Sequence, residues 1–276
     1  MPVLEPQGPV SQGHAPVRAV TDDEVDFFQD NGWVRLPALV KPDVVADLRE
    51  RALGRLEARA PRARTTFVDE AFGQDRDIAE QDEAFRALAC APEIARNAVR
   101  LMIGVDAVRL QVTNLLVKEP ADSERGGDGH GATVFHQDFP WMPMDRSAML
   151  TVWLALADVP ADMGSLRFYS GSHLFGTLGR SFVREGDGAL GQQPWLRELE
   201  LSPPLDLRAG DATVHSSLVV HGAPANRRDT RRLSFTATYF DADALYTGAP
   251  YGQTDGLGLE VNKPFDNLRF PLVPTA

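Results

Sequence analysis

From residue 106 onward the chain is written in short β-type runs. They are 106–120 (DAVRLQVTNLLVKEP), 133–137, 148–157 (AMLTVWLALA), 165–169 (SLRFY), 205–207, 212–220 (ATVHSSLVV) and 231–240 (RRLSFTATYF). Gly, Pro and Asp turns separate them. Many short strands punctuated in this way predict a β-sandwich or barrel. Helices come before them. In TDDEVDFFQDNG, Thr21 and Glu24 form a capping box and Asn31-Gly32 ends the helix. WVRLP follows as a short strand. A second helix starts at about Pro42, with Val44, Val45, Leu48, Leu53 and Leu56 on one face. Helical patterns continue at 80–89 and 92–102. The pattern is α+β with a mainly β core: a flexible tail over 1–20 and a single domain over 21–276, with no internal repeat.

The chain has 276 residues and a net charge of −11. Its length supports a substantial core without disulfides or a structural metal. The negative surface repels phosphates, and the arginines form no basic-aromatic pattern, which sets aside nucleic acid and anionic membranes. A polyanionic substrate such as a CoA thioester is disfavoured for the same reason, unless a local basic pocket holds it. No run is long enough to span a membrane, and MPVLEPQGPVSQGHAPV lacks the apolar core of a signal peptide. The single cysteine, Cys90, sits in a helical pattern without a catalytic frame and suits a reducing compartment. A cytoplasmic protein with a small-molecule substrate is expected. Nothing in the sequence sets its oligomeric state.

The chemistry concentrates in three places. His136-x-Asp138 lies in FHQDFPWMP. On a strand, positions i and i+2 share a face, so this pair reads either as a surface hydrogen-bonded pair or as two-thirds of a metal site. His221 ends the run ATVHSSLVVH, and Arg232 follows one turn later on the last strand. Two histidines and one carboxylate with open positions are the donor set of non-haem Fe(II) oxygenases, whereas cysteines would favour zinc or iron–sulfur centres. Arg232 has the fork geometry that a carboxylate takes up in two parallel bonds, and a lysine does not. On that strand Arg232, Ser234, Thr236 and Thr238 share one face, and Leu233, Phe235, Ala237 and Tyr239 the other. A polar interior stripe led by an arginine calls for an anion or water, and a 2-oxo acid would satisfy it.

These motifs, with KEP, the tryptophan of TVWLALADV, GSLRFYSGSH, the Gly210-Asp211 turn, HGAPAN and RRLSF, resemble the phytanoyl-CoA dioxygenase family of Fe(II)/2-oxoglutarate oxygenases. The resemblance runs from Thr21 to about Phe240. It implies a double-stranded β-helix (jelly-roll, cupin-like) core with flanking N-terminal helices. It implies that His136, Asp138 and His221 bind Fe(II), and that Arg232 holds the distal carboxylate of 2-oxoglutarate. Lys118 and Trp153 match positions that line the cosubstrate pocket in some members. Some relatives also carry a serine two residues after the distal histidine. Here that residue is Ala223, and Ser234 is a candidate to supply the missing hydroxyl. Asp138 is present where halogenating relatives lack the carboxylate, so hydroxylation by Fe(II), 2-oxoglutarate and O₂ is expected, with release of succinate and CO₂. Desaturation, ring formation and epimerisation share its hydrogen-abstraction step.

The other candidates carry weaker signals. Arg231 competes with Arg232, but strand parity separates the two and the family offset selects Arg232. His215 precedes His221 by six residues on an apparently continuous strand, and a core or supporting role is preferred over a ligand role. His173 is assigned to a structural turn, His130 to a solvated loop and His14 to the tail. Phe139, Trp141 and Met142 are candidates for a substrate wall, balanced against a core role also open to Met144. The segments 119–132 and 178–197 are candidate lids. The expected substrate is a small, mostly apolar molecule, such as a secondary-metabolism intermediate. Two other classes compete: a cupin-like metal isomerase or hydrolase, and a non-catalytic binding module with a vestigial metal site. The first would need no 2-oxo acid, so Arg232 would be dispensable; the second would bind ligand without turnover.

Overall fold

The computed structural model describes residues 16–58, 72–120, 131–181 and 187–276. His14, His130, most of the 119–132 loop and the centre of the 178–197 segment lie outside the described residues. The chain opens with helix α1 (Asp22–Asn31). Thr21 and Glu24 form the reciprocal capping box, and Gly32 closes the helix at φ 77°. Strand β1 (Trp33–Leu36), helix α2 (Pro42–Ala58) and strand β2 (Phe72–Arg76) follow. The helical stretch after it is three pieces, α3 (Ile78–Gln81), α4 (Glu83–Ala89) and α5 (Pro92–Leu101). The break falls at Asp82, whose side chain accepts from the Ala84 N–H and so caps α4.

The remaining strands are β3 (Val108–Lys118), β4 (Thr133–His136), β5 (Met149–Ala155), β6 (Arg167–Phe168), β7 (Ala212–Ser216), β8 (His221–Ala223), β9 (Arg232–Asp241) and β10 (Leu272–Val273), with a short helix α6 (Ala189–Gln192) before β7. They form two sheets. The major sheet runs β1-β7-β5-β9-β3-β10, with β2 also paired to β3; the minor sheet runs β4-β8-β6. Every named strand pair is antiparallel. Two facing antiparallel sheets with sequence-distant strands as neighbours are the double-stranded β-helix.

Alternation sets the two faces of the major sheet. Leu233, Phe235, Ala237 and Tyr239 of β9 point outward into a core shared with Leu48, Phe85, Ile94 and Leu101 of the helices. Arg232, Thr236 and Thr238 point inward and line a cavity between the sheets. The helices therefore cover one face and leave the other for the site.

The tail ends earlier than the sequence suggests. Residues 16–20 pack on the domain: Val17 and Val20 are both 2 % exposed, and the Val20 N–H donates to Asn97 Oδ1 at 3.0 Å. Two valines three residues apart have apolar area to bury, which composition alone does not reveal. Among the described residues no helix is long and apolar enough to cross a membrane.

Candidate metal centre and cosubstrate cavity

The two histidines meet because β4 and β8 pair in register, His136 opposite His221. Their rings lie 4.3 Å apart. Gly222 permits this approach, since a Cβ there would sit 2.8 Å from the Thr133 carbonyl oxygen. Each ring is fixed by the backbone carbonyl two residues before it. His136 Nδ1 lies 2.8 Å from the Val134 carbonyl, and His221 Nδ1 lies 3.1 Å from the Val219 carbonyl. An Nδ1–H donated to a carbonyl leaves the Nε2 lone pair as the ligand. Both Nε2 atoms face Asp138 Oδ1, at 3.4 Å and 3.9 Å.

Asp138 does not reach them by strand alternation. Strand β4 ends at His136, and Asp138 takes helical dihedrals (φ −78°, ψ −39°) at the head of a 3₁₀ turn over Phe139–Trp141. Its N–H is held by the Ser217 carbonyl at 3.0 Å. Gln137, the residue between the two, is buried and ties the motif to its surroundings. Its Nε2 donates to the Gly176 and Leu218 carbonyls, and its Oε1 accepts from the Leu178 N–H. The ligand atoms of His136, Asp138 and His221 all lie within 4.8 Å of one another.

The electrostatics suit a divalent cation. Burial pushes the Asp138 carboxyl up, but His221, together with the His136 and His215 rings beside it, outweighs it and holds the group well below 3.8. Burial, then the neighbouring His215 and His136 rings, push the His221 imidazole well below 6.5 against the pull of Asp138. Near neutral pH the site thus presents a carboxylate and a neutral imidazole, the protonation states that metal ligation requires. Because His221 titrates lower when folded, the unfolded chain takes up this proton first as pH falls. The associated stability is complete above 6.5 and lost as pH drops from there toward the depressed folded value. The melting temperature of metal-free protein is expected to fall between about pH 7 and about pH 5. The fall should be shallower in His221→Gln, which cannot titrate.

The cavity has a volume of about 670 Å³ and runs past the three residues in both directions. Arg232, 1 % exposed, lies deep in it beside Trp153, Thr133, Leu166 and Ala223. Its Nη1 donates to the Gly164 carbonyl at 2.5 Å. Gly164 has φ 79°, and a Cβ there would lie 2.5 Å from the Pro224 carbonyl oxygen, which accounts for the glycine of GSLRF. Asn226 of HGAPAN closes the turn ahead of β9 through bonds to the Thr230 and Glu119 carbonyls. The guanidinium lies over the Trp153 ring at 5.3 Å. Burial pulls the Arg232 pKa down to about 9, a shift that a bound carboxylate reverses. Trp153 Nε1 is buried without a hydrogen-bond partner among the described residues. Arg231, of opposite parity, pairs with Glu119 at 2.7 Å at the surface.

Several expectations need correction. Ser234 does not line the cavity; its hydroxyl contacts the Leu116 carbonyl at 3.4 Å. The hydroxyl across from Ala223 belongs to Thr133, its partner in β4–β8 pairing, and Thr133 does line the cavity. Only the pairing of two distant strands reveals this. Lys118 is fully buried outside the cavity lining, with its ammonium on the Pro224 and Ala223 carbonyls at 2.5 and 3.4 Å. It supports the turn after β8 from the position directly across from Arg232 in the β3–β9 pairing. Trp141 and Met142 line the cavity, but Phe139 does not; it packs behind Met142 with Met144 and Phe240. His215 and His221 do not share a strand. They sit on β7 and β8, in different sheets, and face each other with rings 4.2 Å apart. His173 Nε2–H donates to the Gln29 carbonyl, 3.0 Å away, and is structural.

A sequence model of the phytanoyl-CoA dioxygenase (PhyH) family matches residues 28–234. The chain belongs to the phytanoyl-CoA dioxygenase family. It is therefore an Fe(II)/2-oxoglutarate-type oxygenase, and the double-stranded β-helix is the fold of its relatives. The rat peroxisomal phytanoyl-CoA dioxygenase is 21 % identical over 253 residues, 85 % of this chain and 72 % of the rat protein. Among solved structures, the non-heme alpha ketoglutarate dependent carbocyclase SnoK from nogalamycin biosynthesis is 28 % identical. It superimposes with a TM-score of 0.76 over 95 % of this chain and all of that one. The epimerase SnoN, in complex with Fe3+, alpha ketoglutarate and nogalamycin RO, is also 28 % identical, with a TM-score of 0.73 over 91 % of this chain and 98 % of that one.

Proposed function

We propose that this oxygenase oxidises an unactivated C–H bond of a small molecule in secondary metabolism. His136, Asp138 and His221 would hold Fe(II), and Arg232 would hold the distal carboxylate of 2-oxoglutarate. The observation that carries this reading is the convergence of two backbone-oriented imidazoles and one ionised carboxylate in the same cavity as a buried arginine. That donor set fits a divalent iron and leaves positions for a bidentate 2-oxo acid. When bound, iron and 2-oxoglutarate supply the power to remove a hydrogen atom from such a bond, with O₂ consumed and succinate and CO₂ released.

The protein's own residues bind and orient. Arg232 offers the fork, and the Trp153 N–H offers a buried donor that lacks an acceptor among the described residues. Thr133 provides a hydroxyl on the strand facing Ala223. On the other side of the metal residues, Trp141, Met142, Met149 and Tyr251 supply an apolar wall, while Gln74, Gln111, Asn114 and Gln253 bring amides. This supports an amphipathic, drug-sized substrate, more polar at one edge than the sequence suggests. Hydroxylation is the simplest outcome. The likeness to a carbocyclase and an epimerase favours a second outcome, in which the same hydrogen abstraction leads to ring formation or inversion at carbon.

The test is anaerobic addition of Fe(II) and then 2-oxoglutarate, followed by the visible charge-transfer band of the chelated 2-oxo acid. Well-folded, iron-loaded protein without a band would sink this reading. Trp153→Phe should raise the 2-oxoglutarate concentration needed for half the band by about tenfold, the loss of one charge-assisted bond. The same change should leave the stability of the cosubstrate-free protein nearly unchanged, because it also removes a buried donor that has no partner among the described residues.

A further inference from the structure

The sheet opposite the metal residues carries a histidine that neither the ligand set nor the cosubstrate pocket uses. His215 is 2 % exposed and lines the cavity. Its ring lies 4.2 Å from that of His221 and 5.7 Å from that of Phe168. It falls outside the group of ligand atoms that lie within 4.8 Å of one another. Its Nε2 instead lies 3.4 Å from Asp138 Oδ2, and neither ring nitrogen has a hydrogen-bond partner among the described residues. A buried imidazole N–H calls for an acceptor, and closing this contact to hydrogen-bond length takes a shift of only a few tenths of an ångström.

The two oxygens of Asp138 are thereby sorted. Oδ1 faces His136 and His221. Oδ2 faces His215 and the Thr151 hydroxyl, the latter at 3.4 Å. Thr151 is fixed in turn by Thr238 at 2.9 Å. His215, Thr151 and Thr238 are direct cross-strand partners on β7, β5 and β9, so one rung of the major sheet presents a row of polar side chains to a single oxygen.

We propose that His215, with Thr151, is a positioning residue that holds Asp138 Oδ2 and so confines the carboxylate to one oxygen as a metal ligand. This rests on the metal site proposed above. A carboxylate that chelates through both oxygens fills a position that the bidentate 2-oxo acid needs. An Asp138 anchored at the head of a 3₁₀ turn has no strand neighbour to fix its rotation. The rung supplies what the turn lacks.

The test uses full-length metal-free protein and Co(II) as a spectroscopic probe, with Fe(II) and 2-oxoglutarate added anaerobically in parallel. His215→Asn carries an amide too short to reach Oδ2. His215→Gln places an amide nitrogen close to the position of Nε2. Thr151→Val removes the second grip at similar volume. His215→Asn and Thr151→Val are expected to bind Co(II) about 10- to 100-fold more weakly, with altered Co(II) visible bands and a higher 2-oxoglutarate requirement for the Fe(II) charge-transfer band. His215→Gln should recover most of the affinity and the native bands. Folded His215→Asn and Thr151→Val with native Co(II) affinity and bands would overturn the proposal. So would a His215→Asn protein that fails to fold beside a Thr151→Val protein of native behaviour, since His215 would then serve packing alone. A native protein that binds neither Co(II) nor Fe(II) overturns the metal site itself, and the two failures are thus distinct.

Discussion

His221→Ala should lose Fe(II)-dependent succinate formation by at least about a thousandfold, a barrier change of roughly 4 kcal/mol. His221 is buried, its Nδ1 is turned to the Val219 carbonyl, and its ring lies between those of His136 and His215, tilted to both. An incoming water would find no comparable donor at that point. Truncation also leaves Asp138 without the neighbour that most lowers its carboxyl pKa. Metal binding should therefore weaken together with turnover, and isothermal titration with Fe(II) under anaerobic conditions would read the first separately from the second. Retained iron affinity and succinate formation in a folded His221→Ala protein would remove His221 from the ligand set.

The second large effect is expected at Arg232. Arg232→Met should raise the 2-oxoglutarate concentration needed for turnover by about 100- to 1,000-fold, the worth of a buried, charge-assisted carboxylate pair. Arg232→Lys should recover little of it, because an ammonium cannot form two parallel bonds to one carboxylate. The metal-free, cosubstrate-free protein should respond differently. Burial already disfavours the charged guanidinium there, so Arg232→Met should not lower the melting temperature by more than a few degrees. Initial-rate measurements against 2-oxoglutarate, set beside thermal melts, separate the two effects. An unchanged requirement would move the cosubstrate carboxylate elsewhere in the cavity. It would also reopen the rival reading of a cupin-like metal isomerase or hydrolase, in which Arg232 is dispensable.

The substrate half of the cavity is less constrained by single residues than the metal half. Trp141 and Met142 come from the turn after Asp138, whereas Tyr251 and Gln253 come from the segment before β10. Gln111 of β3 holds the second of these in place, with its Nε2 2.6 Å from Gln253 Oε1 and 3.2 Å from the Tyr251 hydroxyl. That C-terminal wall carries no motif, and reading along the chain leaves it unassigned.

What the sequence determined by itself is local. The capping box at Thr21 and Glu24, the parity of Arg232 against Arg231, and the polar and apolar faces of β9 all follow from a period of 3.6 or of 2 along one segment. The donor types of HxD and His221 likewise carry their chemistry wherever they are placed. The tertiary structure decided what depends on which distant segments become neighbours. Asp138 reaches the histidines through a turn held by Ser217, and the strand alternation that suggested the pair is not what aligns it. Thr133 faces Ala223, and Ser234 does not, because β4 pairs with β8 while the Ser234 hydroxyl turns to the β3 backbone. His215 looks across at His221 because the chain changes sheets between them. Strand pairing is settled by the burial of whole faces, so a residue's own periodicity fixes which way it points but not what it meets.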